Sequence, residues 1–210
     1  MATKKTTTEP LDPTLGDEEL EDALISGEQR DLLELYFGED AYEDMRVLAG
    51  RARTARTRGG PRVLLLPGIM GSKLGTKSKK SDDLLWIDAF DILRGKLTKL
   101  SLLDGDRDIQ AVGVLLISYL KLKLRLNIAG FDTKFHAFDW RQDIPSLGSE
   151  LAERIRRQTH PKQGRQDVYL VAHSMGGLVA RAAIKLLQDS DEETKVRRLV
   201  MLGTDRKSVV

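Results

Sequence analysis

The chain has 210 residues, enough for one domain with a hydrophobic core but small for a complete α/β enzyme with insertions, so one catalytic domain with an appendage is expected. Its 34 basic and 32 acidic residues nearly cancel to a net charge of +2, which excludes an overall field that would collect nucleic acid or an anionic membrane. The absence of cysteine excludes a disulfide framework and thiolate metal sites.

Taken in chain order, residues 1–16 are rich in Thr, Lys, Pro and Asp and read as a disordered tail. They carry no apolar stretch of the kind a secretory signal needs, no later run reaches the length of a membrane span, and the cytoplasm is the expected location. Residues 17–58 read as a helical N-terminal extension. From Asp17 to Tyr36, Leu20, Leu24, Leu32, Leu33 and Tyr36 recur at helical spacing; Gly38 separates this from a second helix starting at Asp40 with Met45, Val47 and Leu48. The acids Asp17, Glu18, Glu19, Glu21 and Asp22 and the later arginines Arg46, Arg51 and Arg53 are expected to pair within the arm as solvated faces.

Composition changes at Gly59-Gly60-Pro61, and residues 61–210 read as the catalytic domain. Val63 to Leu66 has the continuous apolar character of a buried parallel strand. Leu115, Tyr119, Leu122 and Leu126 fall on one helical stripe ended near Gly130, although Leu120 to Leu126 also alternates with Lys121, Lys123 and Arg125. The helix is favoured, because Leu and Lys are good helix formers. Thr133 to Phe138 reads as a strand and Leu147, Leu151 and Ile155 as a helix. Val168 to Val171 is then a strand, Leu178 to Leu187 a helix and Val196 to Leu202 a strand. This alternation implies a mostly parallel, doubly wound α/β sheet.

The most informative segment is Ala172-His173-Ser174-Met175-Gly176-Gly177, set between the strand and the helix. A serine alcohol becomes a useful nucleophile when a tight strand-to-helix turn presents it to a base and to backbone N–H groups that hold an oxyanion. Ala172 and Gly176 are small enough for that turn to close. The strand at Val63 likewise runs into Pro67-Gly68-Ile69-Met70-Gly71-Ser72, whose glycines allow close approach of backbone to ligand. His173 is expected to pack or hydrogen-bond beside the elbow, since neighbours on a strand point to opposite sides. Asp139 and Arg141 read as a structural ion pair with Trp140 packed nearby, His136 as a satisfied core histidine, and His160 as a solvent-facing or capping residue. No metal-ligand spacing and no phosphate-binding glycine loop is found, so neither a metal nor a cofactor is indicated.

Pro67-Gly-x-x-Gly71, the Trp86-containing stretch, Phe138-Asp139-Trp140-Arg141 and His173-Ser-Met-Gly-Gly177, in that order, resemble the lecithin:cholesterol acyltransferase-like family of α/β-hydrolases, particularly its bacterial members. The resemblance implies an α/β-hydrolase fold, a Ser-Asp-His triad in that chain order, and acyl transfer from a lipid ester to water or an alcohol. It makes Ser174 the nucleophile, with oxyanion N–H groups from Met175 and from Ile69 or Met70. It also implies a lid-like insertion over about residues 73–110, through which a membrane surface could be touched peripherally. Residues 175–210 contain no histidine, and the closing Asp205-Arg-Lys-Ser-Val-Val210 departs from the family pattern. The expectation is therefore a hydrolase domain incomplete at its C-terminus, with the triad Asp and His beyond the chain end. The expected function is a serine-dependent lipid acyl ester hydrolase or O-acyltransferase; the alternative is a non-catalytic lipid- or protein-binding module on the same scaffold.

Overall fold

The computed structural model describes residues 15–55, 60–76, 83–86, 100–101, 108–159, 167–190 and 196–205. Helices α1 (Asp17–Ser26), α2 (Arg30–Phe37) and α3 (Glu39–Ala55) precede strand β1 (Arg62–Leu66). Strands β2 (Ser72–Thr76), β3 (Asp83–Trp86) and β4 (Ile109–Val114) follow, then α4 (Leu116–Ile128), β5 (Asp132–Phe135), α5 (Ile144–Thr159), β6 (Val168–His173), α6 (Met175–Asp189) and β7 (Val196–Leu202).

Four strands form a parallel sheet in the order β5-β1-β6-β7. β1 is central because Val63 to Leu66 are apolar without interruption and all four are buried, a composition that suits a strand covered on both faces. On one face, Leu64, Leu66 and Leu170 pack against Leu147, Leu151 and Ile155 of α5 and Val179 and Ala183 of α6. A Cβ on Gly148 would lie 2.7 Å from the Ala182 Cβ, so α5 and α6 cross closely at a glycine. On the other side of the domain, Leu116, Leu120 and Leu124 of α4 form a second core with Leu20, Leu24, Leu33, Tyr42, Met45 and Leu48 from the N-terminal helices. The chain thus leaves β1 in one direction to reach β5 and returns across it to β6 and β7. Such a reversal opens a crevice at the carboxyl ends of the central strands. The observed architecture is the α/β-hydrolase-type parallel sheet that the alternation of elements predicts.

Several local expectations change. The segment from Asp17 to Tyr36 is two helices, because Gly27 adopts φ 77 and its N–H closes α1 onto the Ala23 carbonyl. β5 stops at Phe135, short of Phe138, where the Phe138 N–H turns to the Ser72 hydroxyl. α4 is a helix, but its most buried face runs through Leu116, Leu120, Lys123, Leu124 and Asn127, while Leu122 and Leu126 are half-buried. The segment read as a lid begins and ends in ordered backbone: β2 pairs antiparallel with β3 and β4 in a second, three-stranded sheet. Residues 77–82, 87–99 and 102–107 of that segment lie outside the described residues, as do residues 1–14, His160 and residues 206–210.

The arm's charges do not stay within it. Arg53 pairs with Asp22, but Asp17 and Glu21 both bind Lys123, Glu18 binds Lys134 and Asp44 binds Lys121. The acidic run is therefore in large part a docking surface for lysines of the α/β domain, which sequence alone could not assign because the partners lie about a hundred residues away.

Candidate active site

β6 ends at His173, and Ser174 adopts φ 50 and ψ −120 before α6 begins at Met175. A non-glycine residue in this region is strained by roughly 1–3 kcal/mol and persists only where its surroundings over-determine it. Here they do. The Ser174 N–H donates to the Leu202 carbonyl at 2.8 Å, and its own carbonyl accepts from the Gly177 N–H at 3.0 Å and the Thr204 hydroxyl at 2.9 Å. Small residues make the junction possible: a Cβ on Gly176 would fall 2.5 Å from the Pro67 carbonyl oxygen, and one on Gly177 would fall 2.1 Å from Thr204 Oγ1. The backbone is pinned, while Ser174 Oγ makes no hydrogen bond among the described residues.

The Pro67–Gly71 turn follows β1, the strand beside β6, and meets the elbow. A Cβ on Gly68 would be 3.1 Å from the Ser174 Cβ and 2.9 Å from His173 Nδ1. The Gly71 N–H closes the turn onto the Gly68 carbonyl at 3.0 Å, and Met70 sits at φ 61 within it. Three outside groups fasten the turn. The Leu115 N–H at the start of α4 donates to the Gly71 carbonyl (2.9 Å), the Tyr119 hydroxyl accepts the Gly68 N–H (2.9 Å), and the Trp86 indole donates to the Met70 carbonyl (3.0 Å). Ile69 and Met70 are 58% and 46% exposed, and their N–H groups take no part in the backbone hydrogen bonds among the described residues. Met175, as the first residue of α6, likewise has no intrahelical acceptor for its N–H.

Trp86 and Trp140 meet edge to face at 5.6 Å, and the Trp140 indole donates to the Ser72 carbonyl. Ser72 itself is fully buried. Asp139 and Arg141 form the expected ion pair, through Arg141 Nε and Nη2 at 2.8 and 2.6 Å. Burial alone would raise the Asp139 carboxyl, but the Arg141 hydrogen bonds outweigh it and hold the group below the usual carboxylate range. Arg141 also donates to the carbonyls of Leu100 and Ile109, so this pair ties the segment after β5 to the second sheet and plays a structural part.

His173 does pack beside the elbow: its Nδ1 lies 3.0 Å from the Tyr119 hydroxyl. His136, two strands away from β6, is only half satisfied. Its Nδ1 receives Arg154 Nη1 at 3.0 Å, and its Nε2 has no partner among the described residues. Tyr119 is the site residue that sequence reasoning missed. In the sequence it is one more member of an apolar helical stripe, and the available signal is that a tyrosine there brings a hydroxyl needing a partner.

Between α4 and the ends of β1, β6 and β7 lies a cavity of about 280 Å³ lined by Leu65, Ser118, Tyr119, Leu122, His173 and Leu202. Its walls are mainly apolar, and it reaches the elbow through His173 and Leu202. Among the described residues, no three His, Asp or Glu side chains gather as metal ligands, and no helix is long and apolar enough to cross a membrane.

Comparison with known proteins agrees with the fold. A curated relative, Uncharacterized protein YJR098C of Saccharomyces cerevisiae, is 29% identical over 89 residues, covering 42% of this chain and 12% of that protein. The chain therefore spans only a small part of that relative's length. No solved structure matches. The family model described as PGAP1-like alpha/beta domain matches residues 57–208, most of the chain, and the chain belongs to that family, which is of the α/β-hydrolase type.

Proposed function

We propose that this domain supplies the nucleophile and oxyanion site of a serine-dependent lipid acyl ester hydrolase or O-acyltransferase, of the kind the lecithin:cholesterol acyltransferase-like resemblance implies. The observation that carries the reading is Ser174, held at φ 50 and ψ −120 between a parallel strand and a helix and packed against the turn that follows the neighbouring strand. A strained backbone so heavily pinned makes sense where a side chain must be presented. In this reading Ser174 Oγ attacks the ester carbonyl and gives its proton to a general base. The carbonyl oxygen becomes an oxyanion held by the N–H groups of Met175 and of Ile69 or Met70. Collapse expels the alcohol, which takes up the proton, and leaves an acyl-serine that water or a second alcohol then attacks. The apolar cavity beside His173 and Leu202 suits an acyl chain, and contact with a lipid surface would be peripheral, through the segment around residues 73–110.

The mechanism needs a general base, and in the resembling family the acid and histidine follow the nucleophile. Residues 175–210 contain no histidine, and the test asks directly whether Ser174 is activated. A fluorophosphonate probe, which bonds only to an activated serine, should label Ser174. Ser174→Ala should abolish the label and lower turnover of a p-nitrophenyl ester by at least about 10³-fold while leaving the unfolding midpoint nearly unchanged. The competing reading, a non-catalytic lipid- or protein-binding module, is favoured by the lack of any hydrogen-bonded base at Ser174 Oγ among the described residues. Label on Ser72, or none on a well-folded protein, would favour it over the enzyme.

A further inference from the structure

We infer that Tyr119 is a positioning residue whose hydroxyl fixes the Pro67–Gly71 turn against the elbow strand, keeping the Ile69 and Met70 amides at Ser174. The inference rests on the reading of Ser174 as nucleophile, and deepens it.

The direction of one of the two hydrogen bonds follows from chemistry. A backbone N–H can only donate, so the Gly68 N–H donates to Tyr119 Oη at 2.9 Å. The same oxygen lies 3.0 Å from His173 Nδ1, where it gives the phenolic proton to one tautomer of the ring or accepts a proton from the other. A single hydroxyl therefore links the turn after β1 to the last residue of β6, and the two bonds polarise one another in a partly buried setting. Two consequences concern the reaction. The Gly68 N–H is consumed, so the turn's oxyanion donors can only be Ile69 and Met70. His173 Nδ1 is engaged with the Tyr119 hydroxyl in either tautomer, so that nitrogen is turned to Tyr119 and not to Ser174.

The hydroxyl occupies a slot left by missing side chains. A Cβ on Gly71 would lie 2.8 Å from Tyr119 Oη, and a Cβ on Gly68 would lie 2.9 Å from His173 Nδ1. The turn also contains Met70 at φ 61, a conformation that glycine favours at this place in a turn. Something outside the turn must hold such a residue there. Trp86 grips the Met70 carbonyl from the solvent side, and Tyr119, which is buried, grips Gly68 from the α4 side. Oxyanion stabilisation requires donors within a few tenths of an ångström of the developing charge, and a shift of about 1 Å can cost about 10²-fold in rate.

The experiment compares Tyr119→Phe with the wild type in the full-length protein. Readouts are the rate of fluorophosphonate labelling at Ser174, kcat and KM on a p-nitrophenyl ester, and hydrogen exchange of the peptide containing Gly68. Labelling and kcat should fall by about 10- to 100-fold with KM changed less than about two-fold. Exchange at Gly68 should speed up while peptides from β6 and α6 keep their protection. His173→Phe breaks the same link from the other end and should lower kcat in the same sense. The double variant should be no slower than the worse single one within about two-fold, because both lose one shared bridge. If Tyr119→Phe does not fold, His173→Phe carries the same expectations for labelling, kcat and exchange. Wild-type label on Ser174 with an equal rate in Tyr119→Phe, or in His173→Phe where that variant stands in, overturns the positioning role and leaves the enzyme reading intact. A wild-type protein that takes no label sinks the enzyme reading and the positioning role with it.

Discussion

His136 shows how much one buried side chain can make stability depend on pH. The Arg154 guanidinium can only donate, so His136 Nδ1 is an acceptor and the ring proton resides on Nε2, which is buried without a partner among the described residues. Burial first, and then the Arg154 charge, push its pKa down to about 3. The unfolded chain has an ordinary histidine near 6.5 and takes up a proton that the folded state refuses. The stabilisation is therefore complete above about pH 6.5 and is lost at about 1.4 kcal/mol per pH unit as pH falls from there toward 3. Between pH 7.5 and pH 5 the loss from this residue is about 2 kcal/mol. Urea unfolding at the two pH values should show that loss in the wild type and about 2 kcal/mol less pH dependence in His136→Gln, which keeps an acceptor for Arg154. Equal pH dependence in both proteins would mean that His136 is solvated in the native state.

At the scale of elements, one lysine docks the N-terminal helices. Lys123 of α4 is completely buried, its ammonium bound by Asp17 Oδ2 at 2.5 Å and by Glu21 Oε1, with the Phe135 ring 5.8 Å from it. Both carboxylates come from the first turns of α1, where acidic residues also suit the helix dipole. Removing the cation leaves two partly buried carboxylates facing one another. Lys123→Met should therefore cost about 3–5 kcal/mol. Hydrogen exchange should place the first loss of protection in α1, with β1 and β6 unaffected. Adding Asp17→Asn and Glu21→Leu should recover most of the loss, because an apolar replacement of the whole cluster leaves no orphaned charge. Uniform loss of protection along the chain would show that the cluster does not govern docking of α1.

At the scale of the molecule, the two cores make the arm and the α/β domain interdependent. Leu24 is fully buried and shares a cluster with Leu116, Leu120 and Leu124 of α4 and with Phe135. The two tryptophans, Trp86 and Trp140, sit instead at the second sheet. Leu24→Ala should remove about 3 kcal/mol and lower the unfolding midpoint by about 6–12 °C. If the molecule unfolds as one unit, tryptophan fluorescence and helix circular dichroism will shift together. A tryptophan-detected midpoint that does not move while helicity melts earlier would show the arm to be an independent unit.

The sequence by itself determined the order and kind of most elements, because each is written in a local period: the unbroken apolar run of β1, the stripes of α5 and α6, and the turn glycines at Gly68 and Gly176. It also marked Ser174, since a strand, a serine between small residues and a helix lie contiguous in the chain. It did not determine which face of α4 would be buried. Leu115, Tyr119, Leu122 and Leu126 and their neighbours Leu116, Leu120 and Leu124 form two adjacent stripes, and only the packing of α1 and α3 on one side chose between them. For the same reason neither the burial of Lys123 nor the polar role of Tyr119 is written in the helix that carries them. The partners of Lys123, Asp17 and Glu21, lie more than a hundred positions away, and those of Tyr119, Gly68 and His173, more than fifty. Short-range periodicity reports how each segment can bury its own apolar side, whereas a buried charge or hydroxyl is decided by what the folded chain brings opposite it.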